Sequence, residues 1–220
     1  MLNATSEGVS EEEWASRTQL RAVNRDVNSF NAQKLAALPG PEVNYSCRDE
    51  FNAGITHSSR VAYAKRRLGE VAPPAVTVKP DAVVLLTRAV AHVASGTQGI
   101  VVHCCESSVV SLFGGVEVEV PFVAFDVVDN CGVRLASRFA LPLVLGWAMT
   151  IHRAQGTTLD TLAIDFTHLN WREPGLTYSS GLSRCRLLAN LYVRGLRMHC
   201  AVASEEAMSF YAKHTSDDAY

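Results

Sequence analysis

The chain has 220 residues, 48% of them hydrophobic and 19% charged, so it carries enough apolar material for a buried core and is not disordered as a whole. Lys and Arg number 20 against 22 Asp and Glu, and the net charge of −2 excludes a histone-like or polybasic nucleic-acid binder while leaving room for a local basic groove. No stretch approaches the ~20 mostly apolar residues of a membrane span, and the opening MLNATSEGVSEEEW lacks the basic and apolar regions of a secretory signal.

Residues 1–17 read as an acidic, solvated lead-in. Glu11-Glu12-Glu13 are placed to open a short helix, because acids favour a helix N-terminus. TQLRAV is a short strand-like run. In the following NRDVNSFNAQKLAAL, Val27, Phe30, Leu35 and Leu38 approximate helical spacing, and Pro39-Gly40-Pro41 stops the helix. Residues 18–80 thus begin a lobe and end in VAPPAVTVKP; from residue 42 they are polar and irregular, as in an extended connector. Over 81–138 the composition changes to Val-rich runs, AVVLLTRAV, GIVVHCC, VVSLF, VEVEVPFVAFDVV and VRLASRF, separated by SGTQG, GG and DNCG. A small antiparallel β unit is expected there. Val116, Val118 and Val120 alternate with Glu117 and Glu119, as a strand with one buried and one wet face requires. Residues 139–214 return to α/β, and 215–220 are a tail. LPLVLGWAMTIHRAQG reads as a helix running into a loop, with Trp147 packed under it. TLAIDF is a buried strand, EPGLTYSSGLSRCRLLAN a second helix with Pro174 in its first turn, and LYVRGL another strand. The β unit therefore reads as an insertion into an α/β lobe.

The six cysteines form no paired short spacings, so reduced thiols in an intracellular protein are expected. The one cluster, His103-Cys104-Cys105, sits in strand-like sequence, and no metal site is expected.

Two stretches carry chemistry. In Thr150-Ile151-His152-Arg153-Ala154-Gln155-Gly156-Thr157-Thr158-Leu159-Asp160, polar, cationic and flexible residues directly follow an apolar run. A loop that reads a phosphate backbone needs such parts: a hydroxyl and an imidazole to hydrogen-bond phosphates, a cation, and a glycine for close approach. A helix C-terminus capped by glycine is the plainer reading of the same residues. In Tyr178-Ser179-Ser180-Gly181-Leu182-Ser183-Arg184-Cys185-Arg186, two arginines two apart on a helix project to different faces. One can reach a cleft and stabilise charge on a transferring phosphoryl group, or both can lie on a solvated face. Lys65-Arg66-Arg67 reads as a solvated charge run or as a DNA-facing patch.

WAMTIHRAQGTTLD, followed by YSSGLSRCR and then LYVRGL, resembles the closing motifs of superfamily-one DNA helicases. The match is to the PIF (petite integration frequency) group, relatives of RecD. Asn24, Val27, Asn31, Leu35 and Asp49 are similar to the stretch that begins that family's second motor lobe. VVLLTRAV with SGTQGIVV resembles the opening of its inserted barrel, and PFVAFD, Leu141-Pro142-Leu143 and AMSFYAKH follow in the family's order, so the resemblance spans residues 18–214. It implies an α/β fold: a RecA-like second helicase lobe interrupted by a small antiparallel β-barrel of the Src-homology type. Thr150, His152 and Arg153 would then touch single-stranded DNA, Gln155 and Gly156 would lie at the nucleotide cleft, and Arg184 would be the arginine finger, with Arg186 as second choice. The implied cofactors are ATP and Mg²⁺. The implied partners are single-stranded DNA and an N-terminal RecA-like lobe in cis or in trans, with no membrane. Movement would be 5′ to 3′, in the nucleus or mitochondrion of a eukaryote.

Two departures qualify what is implied. Tyr178 lies six residues before Arg184, where the family has five, and one extra residue turns a helix face by about 100°. Either the helix bulges or Ser179 takes the tyrosine position. No GxxxxGK[ST] loop or strand-borne acidic pair occurs in these residues, so the phosphate- and Mg²⁺-binding half of an ATP site is missing and hydrolysis by the chain alone is not expected. Three readings follow: the C-terminal lobe of a helicase, a helicase-derived nucleic-acid-binding module without catalysis, or an interaction domain without either role.

Overall fold

The structure, a computed structural model, describes residues 9–54, 57–167 and 181–195 together with Ser209. The chain forms two compact units, Met1–Asn28 with Ala148–Tyr220, and Ser29–Trp147. The 81–138 segment expected as an insertion lies inside the second.

Helix α1 (Glu11–Ser16) is opened by Ser10, whose Oγ accepts from the Glu13 amide at 3.1 Å, and bears the three expected acids in its first turn. It is not solvated throughout. Trp14 is buried, the Arg194 guanidinium lies 4.0 Å from its ring centroid, and Glu11 pairs with Arg194 at 2.7 Å. Arg17 lies 3.7 Å from the Tyr192 ring centroid. The acids were legible; the aromatic partners, nearly 180 residues away, were not.

Strand β1 (Thr18–Arg21) and helix α2 (Asn24–Ala37) follow as expected. Residues 42–80 are more regular than their composition suggests. They form β2 (Val43–Ser46), β3 (Arg48–Phe51), α3 (Ser58–Val71) and β4 (Ala75–Val78). Helix α3 buries only Ala64 and Leu68, so its apolar stripe is too narrow to stand out among four cations.

The Val-rich segment is β5 (Val83–Leu86), β6 (Gln98–Cys104), β7 (Ser108–Phe113), β8 (Val116–Pro121), β9 (Val123–Val128) and β10 (Arg134–Ala140). In β8 Val118 and Val120 are buried and Glu117 and Glu119 exposed, while Val116 at the strand's start is exposed too.

LPLVLGWAMT is not a helix. It forms β11 (Leu143–Leu145) and β12 (Ala148–Thr150), joined through Gly146. A continuous apolar run cannot be told from a helix by its period alone. Here Gly146 decides: a Cβ there would stand 3.0 Å from the Val84 backbone, and the Gly146 amide donates to the Val83 carbonyl at 2.8 Å. Trp147, expected under a helix, is part-buried against the core of the second unit.

In that unit β11, β5, β6, β7 and β8 form an antiparallel five-stranded sheet in this order, β2 pairs with β4, and β3, β10 and β9 form a third sheet against which α3 packs. Val78, Val84, Leu86, Val101, Val109 and Leu143 lead the main core. Tyr45, buried at its edge, donates to the Cys105 carbonyl at 2.6 Å; burial foremost pushes its pKa up to about 12, which keeps the phenol a donor.

The first unit resumes with β12, a single-turn α4 (Ile151–Ala154), β13 (Leu162–Asp165) and β14 (Leu191–Arg194). Its sheet, β12-β1-β13-β14, is wholly parallel, a mixed α/β arrangement. No helix among the described residues is long and apolar enough to cross a membrane.

Candidate nucleic-acid and nucleotide site

All four parallel strands end on a polar residue: Thr150 in β12, Arg21 in β1, Asp165 in β13 and Arg194 in β14. The register sets Arg21 beside Thr150 and Asp165 beside Arg194. In open parallel sheets ligands bind beyond these carboxyl ends.

The TIHRAQG segment starts there. Thr150 Oγ1 accepts from the Arg153 amide at 3.4 Å and caps α4. Ile151 and Ala154 are buried, which leaves His152 and Arg153 exposed on the other side of the turn. The Gln155 amide returns to the His152 carbonyl at 3.3 Å and the Thr157 amide to that of Ala154 at 3.0 Å. Gly156 adopts φ +79°, which disfavours any side chain, and among the described residues nothing lies within 4 Å of where its Cβ would stand. Gln155 and Gly156 are therefore exposed backbone at an open approach, while Thr157 and Leu159 plug the turn into the core.

The second stretch is bound to the first. Leu159 and Cys185 form a parallel bridge: the Leu159 amide donates to the Arg184 carbonyl at 2.9 Å, and the Arg186 amide to that of Leu159 at 3.2 Å. The expected helix through Arg184 and Arg186 is thus replaced by a turn at Ser183-Arg184, an extended bridge, and a 3-10 turn at Leu188–Asn190. The physical reason is that these backbone groups are used across to Leu159 instead of along a helix. Gly181 seats the segment on the sheet; a Cβ there would meet Ile164, Ile151 and Leu20 at 3.4 to 3.7 Å.

The two arginines differ in setting. Arg184 is half-buried, with Nη2 donating to Ser183 Oγ at 2.8 Å. Arg186 is exposed and faces Asp160 at 3.9 Å. Between them burial pushes the Cys185 thiol pKa up, so this cysteine is a packed thiol rather than a reactive thiolate. Pro174, Tyr178, Ser179, Cys200 and, apart from Ser209, the AMSFYAKH tail lie outside the described residues.

Arg21 escaped the sequence reading. It ends an unremarkable TQLR run, and only the strand register brings it beside Thr150; its Nη2 donates to Gln19 Oε1 at 2.6 Å. A polar residue closing an apolar parallel strand is the signal that could have found it.

No protein-family model matches the chain. The chain is 33% identical over 131 residues to the ATP-dependent DNA helicase PIF6 of Trypanosoma brucei brucei, covering 56% of the chain and 16% of the relative. It is 36% identical over 118 residues to the ATP-dependent DNA helicase Pif1 of Bdellovibrio bacteriovorus, covering 53% and 26%. In fold it is similar to unliganded Pif1 from Bacteroides sp, at a TM-score of 0.73 and 18% identity over 99% of the chain and 50% of that protein. Bacteroides Pif1 has also been solved bound to single-stranded DNA and in complex with ADP-AlF4. The chain spans half the length of that solved helicase and a smaller share of the curated relatives. Its fold is the RecA-like helicase fold, and in sequence and structure the chain is similar to part of the Pif1 helicases.

Proposed function

We propose that the chain is the C-terminal motor lobe of an ATP-dependent DNA helicase, which binds single-stranded DNA and completes an ATP site formed with a phosphate-loop lobe. The observation that carries this reading is the Leu159–Cys185 bridge. It ties the loop bearing Thr150, His152 and Arg153 to the segment bearing Arg184, at the carboxyl ends of one parallel sheet. A strand-binding loop and a phosphate-sensing arginine then move as one piece.

In this reading the Thr150 hydroxyl, His152 and Arg153 hold backbone phosphates. Gln155, the Gly156 backbone and Arg184 face the nucleotide, and the open approach at Gly156 suits a phosphate-bearing ligand. ATP supplies a γ-phosphoryl group whose developing charge needs a cation. Arg184 brings that cation from this lobe, and Mg²⁺ belongs with the phosphate loop of the other lobe, because these residues contain no such loop. Closure of the cleft shifts the DNA-binding loop along the strand, 5′ to 3′. The five-stranded antiparallel sheet is the inserted Src-homology-type barrel. The motor lobe then corresponds to the Met1–Asn28 and Ala148–Tyr220 unit, and the insertion is wider than the expected 81–138, taking in the Ser29–Trp147 unit with β11, in an intracellular protein, nuclear or mitochondrial in a eukaryote.

The test is ATP hydrolysis, with and without oligo-dT, by the chain alone and after joining to a Pif1 phosphate-loop lobe. No turnover by the chain alone and DNA-stimulated turnover by the joined protein are expected. Turnover by the chain alone would contradict the half-site reading. DNA binding without turnover in the joined protein would favour a helicase-derived binding module without catalysis.

A further inference from the structure

The second compact unit carries a surface that this function does not use. Arg60, Lys65, Arg66 and Arg67 lie within eight residues of α3. Glu70 on the same helix pairs with Arg67 and stands 4.0 Å from Arg66, so a phosphate held there displaces an exposed carboxylate. Arg60, Tyr63 and Arg67 follow each other at i, i+3 and i+7, so they share one stripe of the helix, which flanks the buried Ala64 and Leu68. Tyr63 is 39% exposed, with the Arg66 guanidinium 5.6 Å from its ring centroid. On β3, Phe51 is 38% exposed with the Lys65 ammonium 5.9 Å from its ring.

Beside the stripe is an open cavity of about 400 Å³. Tyr63 and Arg60 form one wall, Asn130 and Ser59 line it, and Leu135 is among its apolar residues. The opposite wall is the β9–β10 turn, held in shape by Asp129, whose Oδ1 accepts from the Cys131 and Val133 amides at 2.9 Å each. Arg60 pairs with the other oxygen of Asp129 and ties that turn to the helix.

We infer that α3 and the β9–β10 turn form a second single-stranded nucleic-acid site, with one base against Tyr63 in this cavity and the flanking phosphates on Arg60, Arg66 and Arg67. Aromatic rings left open beside a row of cations are how sequence-tolerant strand binders hold bases and backbone together. Asn130 offers both a donor and an acceptor to a base edge. An acidic peptide would use the cations and leave the open rings without a role. The site lies wholly within Ser29–Trp147 and does not depend on the motor-lobe reading.

Cys131 lines the cavity and is exposed, which allows a test on the unaltered chain. Alkylation of each cysteine is followed by peptide mass spectrometry with and without an oligo-dT of about 12 nucleotides. Oligo-dT is expected to slow alkylation of Cys131 by about tenfold and to leave exposed Cys105 unchanged. Tyr63→Leu should remove the protection and Tyr63→Phe keep it. Oligo-dT binding without protection of Cys131, or stronger protection by polyglutamate, would overturn the inference. A His152→Ala/Arg153→Ala chain separates the two sites. Protection of Cys131 undiminished there, with wild-type binding showing no contribution from those residues, would sink the motor-loop assignment alone. Binding that depends on those residues, with Cys131 unprotected, would sink the second site alone.

Discussion

Replacing Arg184 by alanine is expected to lower DNA-stimulated ATP hydrolysis of the joined two-lobe protein by roughly 10³-fold or more, with little change in oligo-dT affinity. The magnitude follows from what an arginine finger does: it neutralises charge that appears on the phosphoryl group only in the transition state. Arg184 is suited to the task by its setting. Its backbone is pinned through the Leu159 bridge, and it is half-buried, so its approach is constrained. Lysine should not rescue, since a point charge lacks the planar fork of guanidinium. Arg186→Ala should be close to neutral, because Arg186 is exposed and meets Asp160 only at 3.9 Å. Steady-state turnover of the three variants reads this directly. A large loss at Arg186 with none at Arg184 would reverse the two roles.

The second large effect is on stability. Arg138→Met is expected to destabilise the Ser29–Trp147 unit by about 3 kcal/mol, read as a lowered urea midpoint. Arg138 Nε and Nη2 donate to the two carboxylate oxygens of Asp49 at 2.7 Å each, joining β10 to β3. Its Nη1 donates to the Ala72 carbonyl at 2.7 Å and the Leu68 carbonyl at 3.3 Å, satisfying the C-terminal end of α3. One guanidinium thus closes two strands and a helix end, with its side chain 8% exposed. The low end of the range for a broken buried pair applies because Asp49 is 27% exposed and water can reach it.

The same clasp sets an acid dependence. The hydrogen bonds from Arg138, foremost, hold the Asp49 pKa below its ordinary value. A carboxylate with a lowered folded pKa contributes stability that is fully present above the unfolded value, about 3.9, and is lost as pH falls through the folded value. The difference between wild type and Asp49→Asn should therefore be constant near neutrality and shrink below about pH 4. A difference that grows on acidification would contradict the clasp.

The chemistry of this chain was easier to read than its backbone. Thr150, His152, Arg153, Gln155 and Gly156 stood out because hydroxyl, imidazole, guanidinium and glycine seldom crowd together after an apolar run. The structure finds them on one capped turn. The strands from β5 to β10 were legible through their Val-rich runs and glycine turns. What escaped depends on partners far along the chain. β12 looks helical until β1, over a hundred residues earlier, supplies its register. Arg184 looks helical until Leu159 takes its backbone groups. Trp14 looks solvated among its acids until Arg194 covers its ring. Local pattern reports local preference, and each of these segments was decided by tertiary pairing.

The most direct measurement is the anisotropy of a labelled oligo-dT titrated with this chain across a series of salt concentrations, beside a Thr150→Val/His152→Ala/Arg153→Ala variant. The motor-lobe account predicts binding whose logarithm falls linearly with the logarithm of salt, by about 0.7 per phosphate held, with weaker binding and a shallower slope in the variant. Identical affinity and slope in the two proteins would contradict it.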